Sequence, residues 1–205
     1  SGEALALIFA GRYSSPRQSR MVWVAGVKSF SYHDMAFLHN QLLSGEMKSA
    51  LLRLAPLLHE ADPMWCVYGS CALALNGVPG VDVHDVDILL SSCGVHRLMQ
   101  QLPQARLLTD DRPGSRFRSL HARVYIGDVE IDLSGDLQLL AQGKWSPVQV
   151  EHVCLTEGIR YASLPDCVRL LRQFGRPKDF MRLELVDAAC SQGLCAWPAS
   201  HPGKP

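Results

Sequence analysis

The stretch that decides the fold lies between residues 64 and 90 and reads MWCVYGSCALALNGVPGVDVHDVDILL. Its first five residues, Met64–Tyr68, are apolar and aromatic, a composition that predicts a short strand. The strand leads directly into Gly69-Ser70, and the apolar run Cys71–Asn76 that follows predicts a helix. The unit is therefore a strand, a tight turn and a helix.

The Gly69-Ser70 turn predicts a site for phosphate oxygens. A strand that ends where a helix begins presents unpaired backbone N–H groups and the positive end of the helix dipole. Gly69 allows a phosphate to approach closely, and the Ser70 hydroxyl can donate to the same phosphate. The alternative is purely structural, because a serine at this position can also cap the helix.

Two carboxylates follow on the next predicted strand, Asp85–Leu90. In a strand, Asp85 and Asp87 leave the same face, while the apolar residues between and after them point into the core. Adjacent carboxylates repel each other, and a divalent cation relieves that repulsion. Oxygen ligands of this kind suit Mg²⁺ that bridges substrate phosphates. A solvated strand end with two acids is the alternative interpretation.

A hairpin further along supplies a third carboxylate. Ala122–Ile126 and Val129–Leu133 are predicted strands around a Gly-Asp turn. The second strand alternates, so that Glu130 and Asp132 share a face; Asp132 is the preferred third acid and Glu130 the competing candidate. Three acids around two metal ions suffice for phosphoryl transfer, in which one ion activates the attacking hydroxyl, the other holds the triphosphate and the third acid can serve as base.

The whole pattern predicts an α/β (α+β) fold, a mixed twisted sheet flanked by helices. The hydrophobic periodicity also predicts helices and one more strand-like stretch; these are helices over Ser44–Glu60, His96–Leu102, Leu164–Phe174 and Lys178–Ala189, and the stretch Pro147–Leu155. We expect an N-terminal extension that is partly linker and could supply an edge strand, a core, a short C-terminal helical region and a tail. Their ranges are 1–43, 44–160, 161–190 and 191–205.

Charge and cysteine content exclude several classes of protein. Lys plus Arg equals Asp plus Glu at 20 each, so no overall basic field recruits nucleic acid. Basic residues cluster within 112–123 and 169–182, either as local anion-binding surfaces or as solvated faces. The seven cysteines form no zinc-type array, which favours buried thiols in a reducing cytoplasm. No apolar run approaches the roughly 20 residues of a membrane helix, so we expect no membrane partner.

Three motifs, Val67-Tyr68-Gly69-Ser70, Asp85-Val86-Asp87-Ile88 and Glu130-Ile131-Asp132, resemble in order and spacing the DNA polymerase beta-like nucleotidyltransferase superfamily. Within it, the chain is most similar to small bacterial nucleotidyltransferase-like proteins of the antitoxin and abortive-infection types. The stretch from Leu164 to Asp179 resembles the helical end of those groups. The resemblance spans about residues 64–186.

The resemblance implies a role for each matched residue. Gly69 and Ser70 would hold the nucleoside triphosphate, and three acids would be both the catalytic and the metal-binding set: Asp85, Asp87 and Asp132. Two Mg²⁺ ions are expected, with Mn²⁺ as an alternative. Arg176 and Lys178 would reach the nucleotide phosphates, although helix-end cations that pair with Asp179 fit the sequence equally well.

The expected function is metal-dependent transfer of a nucleoside monophosphate from a triphosphate such as ATP to a hydroxyl, with release of pyrophosphate. The acceptor is open: a protein or a small molecule is favoured over RNA, because the net charge is zero. Arg116, Arg118 and His121 are candidates for contact with the triphosphate or the acceptor. The alternative is a catalytically inactive binding module, such as an antitoxin or scaffold subunit. A homodimer through the N-terminal extension is a further alternative.

Overall fold

The described residues form one mixed sheet of eight strands with helices packed against it. The computed structural model describes residues 42–108 and 115–195. The expectations for residues 1–41 and for most of the tail lie outside these ranges. The helices are α1 (Gly45–Ala61), α2 (Gly69–Leu75), α3 (Ser92–Gln101), α4 (Leu164–Phe174) and α5 (Pro177–Ser191). The strands are β1 (Cys66–Tyr68), β2 (Asp85–Leu90), β3 (Arg106–Leu108), β4 (Phe117–Ile126), β5 (Val129–Ala141), β6 (Lys144–Pro147), β7 (Val153–Thr156) and β8 (Ile159–Ala162).

The order of strands in the sheet is β3-β4-β5-β2-β1-β8-β7, with β6 paired to β5. β2 runs parallel to β5, and β1 runs parallel to β8, whereas the other neighbours are antiparallel. The predicted fold class, a mixed sheet flanked by helices, is confirmed. The arrangement brings the end of β1 next to the starts of β2 and β5, so the turn and the acids meet at one end of the sheet.

The core lies on one face of the central strands, as the alternating pattern predicts. Val86 and Ile88 of β2 and Ile131 and Leu133 of β5 are fully buried. Helix α1 covers this face with leucines that are also fully buried, namely Leu51, Leu54 and Leu58. Each such side chain contributes about 1.5–3 kcal/mol relative to exposure. The acids of β2 and β5 lie on the opposite face.

Asp62 fixes the strands that carry the site. Its carboxylate accepts hydrogen bonds from the backbone N–H of Met64, at 2.8 Å, and of Ser91, at 2.6 Å. The first donor lies just before β1 and the second just after β2. Because these strands are antiparallel neighbours, one buried side chain ties the entry of one to the exit of the other.

The stretch Pro147–Leu155 does not form one strand, so that prediction is wrong. β6 ends at Pro147 and β7 begins at Val153. Between them the backbone N–H of His152 donates to the Asp166 carboxylate at 2.6 Å instead of to a neighbouring strand. The sequence analysis also left out three short strands, β3, β6 and β8, which have three or four residues each.

The junction between α4 and α5 is built around one buried acid. Helix α4 ends at Gly175, with φ of 60°, and Pro177 opens α5. The fully buried Asp179 carboxylate accepts hydrogen bonds from the Arg176 backbone N–H at 3.0 Å, from Nε at 2.8 Å and from Nη2 at 3.0 Å. The Arg176 guanidinium lies over the Phe174 ring at 5.2 Å. These contacts set the direction of α5.

No helix in residues 42–108 or 115–195 combines the length and the hydrophobicity that crossing a bilayer demands.

We expect Asp179→Ala to lower the free energy of unfolding by about 2 kcal/mol, because it removes a helix cap and leaves Arg176 without its partner. Asp187→Ala is the matched control, since Asp187 is exposed on the same helix; its effect should stay within about 0.5 kcal/mol. Urea denaturation measures both. Equal losses in the two variants would contradict the role given to Asp179.

Candidate active site

Strand register brings the predicted acids together. Asp87 of β2 lies opposite Asp132 of β5, and Asp85 lies opposite Glu130. Since these strands are parallel and in register, all four side chains leave the same face of the sheet. Carboxylate oxygens of Asp85, Glu130 and Asp132 lie within 4.8 Å of one another, close enough to share one cation. Asp87 is not part of this group of three, but the register places it beside Asp132 on the same face.

Gly69 lies against the Asp87 carboxylate. A Cβ atom at this position would be 2.5 Å from Asp87 Oδ2, and the φ angle of +71° is one that side-chain-bearing residues rarely adopt. Only glycine fits this turn without strain. The close approach of Asp87 is thus a structural reason for glycine at this position. The close approach of a phosphate, expected from the sequence, stays a prediction.

Ser70 does not cap the helix, so that alternative is wrong. Helix α2 begins at Gly69 with Tyr68 as its N-cap, which puts Ser70 inside the first turn. The side chain is buried, and its hydroxyl oxygen has no hydrogen-bond partner among the described residues. Ser70 is also not part of the cleft lining. Its contact with phosphate stays a prediction.

Burial and like charge raise the pKa of Asp87 to about 6. Burial is the largest cause, and the charges of Asp85 and Asp132 add to it. Lys178 and Arg182 act in the opposite direction but do not cancel the effect. At neutral pH this carboxylate is thus ionised at a free-energy cost, which a bound cation would reduce.

Asp132 has the opposite character. Burial raises its pKa, but hydrogen bonds from His121 and Arg123 outweigh burial and hold the pKa at about 2. Arg123 donates from Nε to Oδ1 at 2.7 Å and from Nη2 to Oδ2 at 3.0 Å, and His121 Nε2 lies 3.4 Å from Oδ1. Asp132 is therefore ionised and already paired with a cation.

Glu130 is turned away from the cleft by its own partners. Tyr125 donates its hydroxyl to Glu130 Oε2 at 2.7 Å, and Arg123 Nη2 lies 2.9 Å from Oε1. Asp132 lines the cleft, whereas Glu130 does not. This difference favours Asp132 over Glu130 as the third carboxylate.

A cleft of about 540 Å³ opens in front of the acids. Its volume is in the range typical of small-molecule sites. The acidic end is formed by Asp85, Asp87 and Asp132, a second wall carries cations from α5, and the remaining wall is largely apolar. The apolar wall includes Tyr68, Phe117, Leu137, Leu170, Leu171 and Phe174.

Lys178 and Arg182 are the cations that face the cleft from α5. They are four residues apart and therefore lie on one face of the helix. Neither forms an ion pair within the described residues, whereas Arg176, which also lines the cleft, is bonded to Asp179. Arg182 is not among the site residues predicted from the sequence. The spacing of four residues between Lys178 and Arg182 was the signal that could have identified it.

The other predicted basic residues have separate positions. Arg116 lines the cleft but donates to the backbone carbonyls of Leu140 and Phe174, each at 3.3 Å. Arg118 is bonded to Gln138 and lies over the Trp145 ring at 4.4 Å, and it is not part of the cleft lining. Of the three candidates, His121 is the one that contacts a site carboxylate.

A second group that could hold a metal ion lies outside the cleft and contains Glu151, His152 and Asp166. The buried Asp166 carboxylate is engaged by the backbone of His152, by the Ser163 hydroxyl and by Arg169. These bonds connect the start of α4 to the segment before β7. We therefore assign Asp166 a structural role.

Comparison with known proteins gives similarities of fold. No family model matches the chain, and no curated protein matches it. Similar solved structures include a Thermotoga maritima protein provisionally described as a nucleotidyltransferase, TM1012, with 22% identity and a TM-score of 0.44 over 68% of this chain and 88% of that chain. JHP933 from Helicobacter pylori has 17% identity and a TM-score of 0.33, over 67% of this chain and 56% of that chain.

We expect Gly69→Ala to destabilise the protein more than Gly127→Ala. Both positions have positive φ, but a Cβ at Gly127 meets no atom within 4 Å, whereas at Gly69 it would clash with Asp87. The backbone penalty is about 1 kcal/mol at each, and the clash should add about 1–3 kcal/mol at Gly69. Thermal unfolding followed by circular dichroism measures the difference. Equal melting temperatures would contradict the close contact.

Asp87→Asn should stabilise the metal-free protein at pH 8 by up to about 3 kcal/mol, the cost of a pKa raised by about two units. The folded pKa of about 6 is above the ordinary value of 3.8, so the native carboxylate costs its full amount above pH 6. The cost falls as the pH is lowered from 6 to 4, where both states become protonated. Denaturant unfolding in EDTA at pH 8 and pH 4.5 tests this. A gain that is larger at the lower pH would contradict it.

Proposed function

We propose that the cleft binds a nucleoside triphosphate with Mg²⁺ and transfers its nucleoside monophosphate to a hydroxyl acceptor, releasing pyrophosphate. One observation carries the proposal: the cleft is lined by the carboxylates of Asp85, Asp87 and Asp132 and by Lys178 and Arg182, two cations that form no ion pair with another described residue. Carboxylates that face cations across a gap suit a ligand that brings both metal ions and phosphates.

The residues fit a divalent cation. The donors are all carboxylate oxygens, the type that Mg²⁺ prefers and Mn²⁺ also accepts. The raised pKa of Asp87 reflects the surplus of negative charge that a cation would relieve. Asp85, Asp87 and Asp132 would hold the ion or ions. When bound, the metal would supply positive charge to the phosphates and to the attacking hydroxyl.

The chain's own side chains then have distinct roles. Lys178 and Arg182 bind the phosphates and offset charge that develops on the leaving pyrophosphate. The attacking hydroxyl forms a bond to the α-phosphorus, and the bond to pyrophosphate breaks. The hydroxyl proton passes to one of the carboxylates that line the cleft, Asp85, Asp87 or Asp132.

The apolar wall provides room for the nucleobase or for an apolar part of the acceptor. Phe117 and Phe174 meet edge to face, with ring centroids 5.1 Å apart. Such rings offer stacking surfaces that do not depend on charge. A protein or small-molecule acceptor fits the neutral chain better than RNA, and we propose ATP as the first donor to test, in a cytoplasmic bacterial setting of the toxin–antitoxin or abortive-infection type.

The second candidate function is a catalytically inactive module that binds a partner, as an antitoxin or scaffold subunit. The bidentate pair of Arg123 with Asp132 favours it, because this carboxylate already has a cation. Nucleotide binding without transfer would support this candidate.

The test uses each α-³²P-labelled nucleoside triphosphate with Mg²⁺ and cell extract, with products separated into protein, RNA and small molecules. We expect transfer by the wild-type protein and a loss of about 10²-fold or more in Asp85→Asn, because the metal loses a charged ligand. The variants Lys178→Met and Arg182→Met should each weaken triphosphate binding by about tenfold, as expected for loss of one charged hydrogen bond.

The matched control is Arg118→Met, which removes a cation from β4 outside the cleft and should change transfer by less than about twofold. Calorimetry with each triphosphate separates the two candidates. Binding that Asp85→Asn abolishes, without any transfer, would replace the enzyme by the inactive module. Neither binding nor transfer by the wild-type protein would refute the proposal.

A further inference from the structure

The third carboxylate of the site, Asp132, forms an ion pair with Arg123. Arg123 lies on β4 directly opposite Asp132 of β5, and its guanidinium makes two parallel hydrogen bonds, one to each oxygen of that carboxylate. The same group reaches Glu130 at 2.9 Å. A guanidinium is always charged and holds a carboxylate in a fixed plane. Asp132 and Glu130 thus share one cation that belongs to the protein.

Asp85 and Asp87 differ from this pair. Neither carboxylate forms a hydrogen bond or an ion pair with any described residue, and the nearest influence of opposite charge on Asp87 comes from Lys178 and Arg182 at a distance. The cluster is therefore divided by strand: the β2 acids have no direct partner, and the β5 acids are neutralised. A divalent ion gains most where charge is uncompensated.

We propose that Arg123 competes with the second divalent ion for Asp132, so that the nucleotide-free protein binds one ion, on the β2 side of the site. The proposal rests on the proposed function of the cleft and specifies how its metal site is loaded. A second ion must displace the guanidinium from Asp132, and a triphosphate supplies the additional oxygen ligands that favour this exchange. Arg123 is a positioning residue, since it acts through Asp132.

One substitution distinguishes this role from a purely structural one, because the two roles predict changes of metal affinity in opposite directions. If Arg123 competes with a cation, then Arg123→Met frees Asp132, removes a positive charge and makes metal binding tighter. If Arg123 only holds the hairpin in shape, the same change disorders Asp132 and makes metal binding weaker. A change that increases affinity is not expected from loss of structure.

The experiment titrates the full chain with Mn²⁺ alone and measures free Mn²⁺ by electron paramagnetic resonance. We expect one bound ion for the wild-type protein. Arg123→Met should bind a second ion with an affinity at least about tenfold above any second site of the wild type, the effect of one charge on a neighbouring equilibrium. The double variant Arg123→Met/Asp132→Asn is neutral overall relative to the wild type and should again bind one ion.

Two further variants keep the result interpretable. Arg123→Lys keeps the charge and the packing but not the bidentate geometry, so it should show a smaller gain of affinity even if Arg123→Met is too unstable to measure. Arg118 lies on the same strand but does not line the cleft, so the Arg118→Met variant should bind one ion, as the wild type does. The Mn²⁺-induced rise in melting temperature should be larger for Arg123→Met than for the wild type.

The outcomes are distinguishable. Two ions on the nucleotide-free wild type, or unchanged or weaker binding in Arg123→Met and Arg123→Lys, would overturn the proposal for Arg123 and leave the nucleotidyltransferase proposal standing. No bound Mn²⁺ in the wild type, with or without ATP, would overturn both. One ion in the wild type and two in Arg123→Met, with one restored by Asp132→Asn, would establish the competition.

Discussion

Repulsion between carboxylates on two parallel strands is the constraint on which this structure depends. β2 and β5 are hydrogen-bonded in a register that sets Asp87 against Asp132 and Asp85 against Glu130. The side chains cannot move apart without breaking that ladder, since a shift by one residue would bury the acids and expose the apolar residues. The fold therefore holds four negative charges at one end of the sheet and must compensate them locally.

The compensation is uneven. Arg123, His121 and Tyr125 contact the β5 acids directly, whereas neither β2 acid has an ion pair within the described residues, and Lys178 and Arg182 act on Asp87 without direct contact. Hence two carboxylates of the same type have pKa values of about 6 and about 2. Carboxylates whose pKa values are driven in opposite directions are found at many functional sites, which agrees with the function proposed for this cleft.

The cations across the cleft depend on packing far from the acids. Arg176 is bonded to Asp179 and lies over Phe117 and Phe174, and these contacts set the start of α5. Lys178 and Arg182 follow on that helix and face Asp87. A residue predicted to bind phosphate thus orients the helix whose other basic residues line the cleft. The contacts that stabilise the junction between α4 and α5 therefore also place the positive charges in the cleft.

Local sequence patterns are sufficient to predict the strand–turn–helix unit, the helical end and which acids share a face of the sheet. These follow from local rules, because alternation fixes which strand residues share a face and periodicity fixes which helix residues are buried. Leu164–Phe174 has the predicted bounds, and Asp85, Asp87 and Asp132 lie together as the alternation implied. Short strands such as β3 and β8 escaped prediction, since three or four residues carry too little pattern.

The partners and the burial of these residues follow from tertiary contacts. Which of Glu130 and Asp132 faces the cleft depends on partners from β4, and the engagement of Arg176 depends on a buried acid three residues later and on rings from two other elements. The burial of Ser70 and the close fit of Gly69 to Asp87 depend on where β2 lies beside β1. These are contacts between segments distant in sequence. Their energies depend on distance and burial, which no local pattern contains.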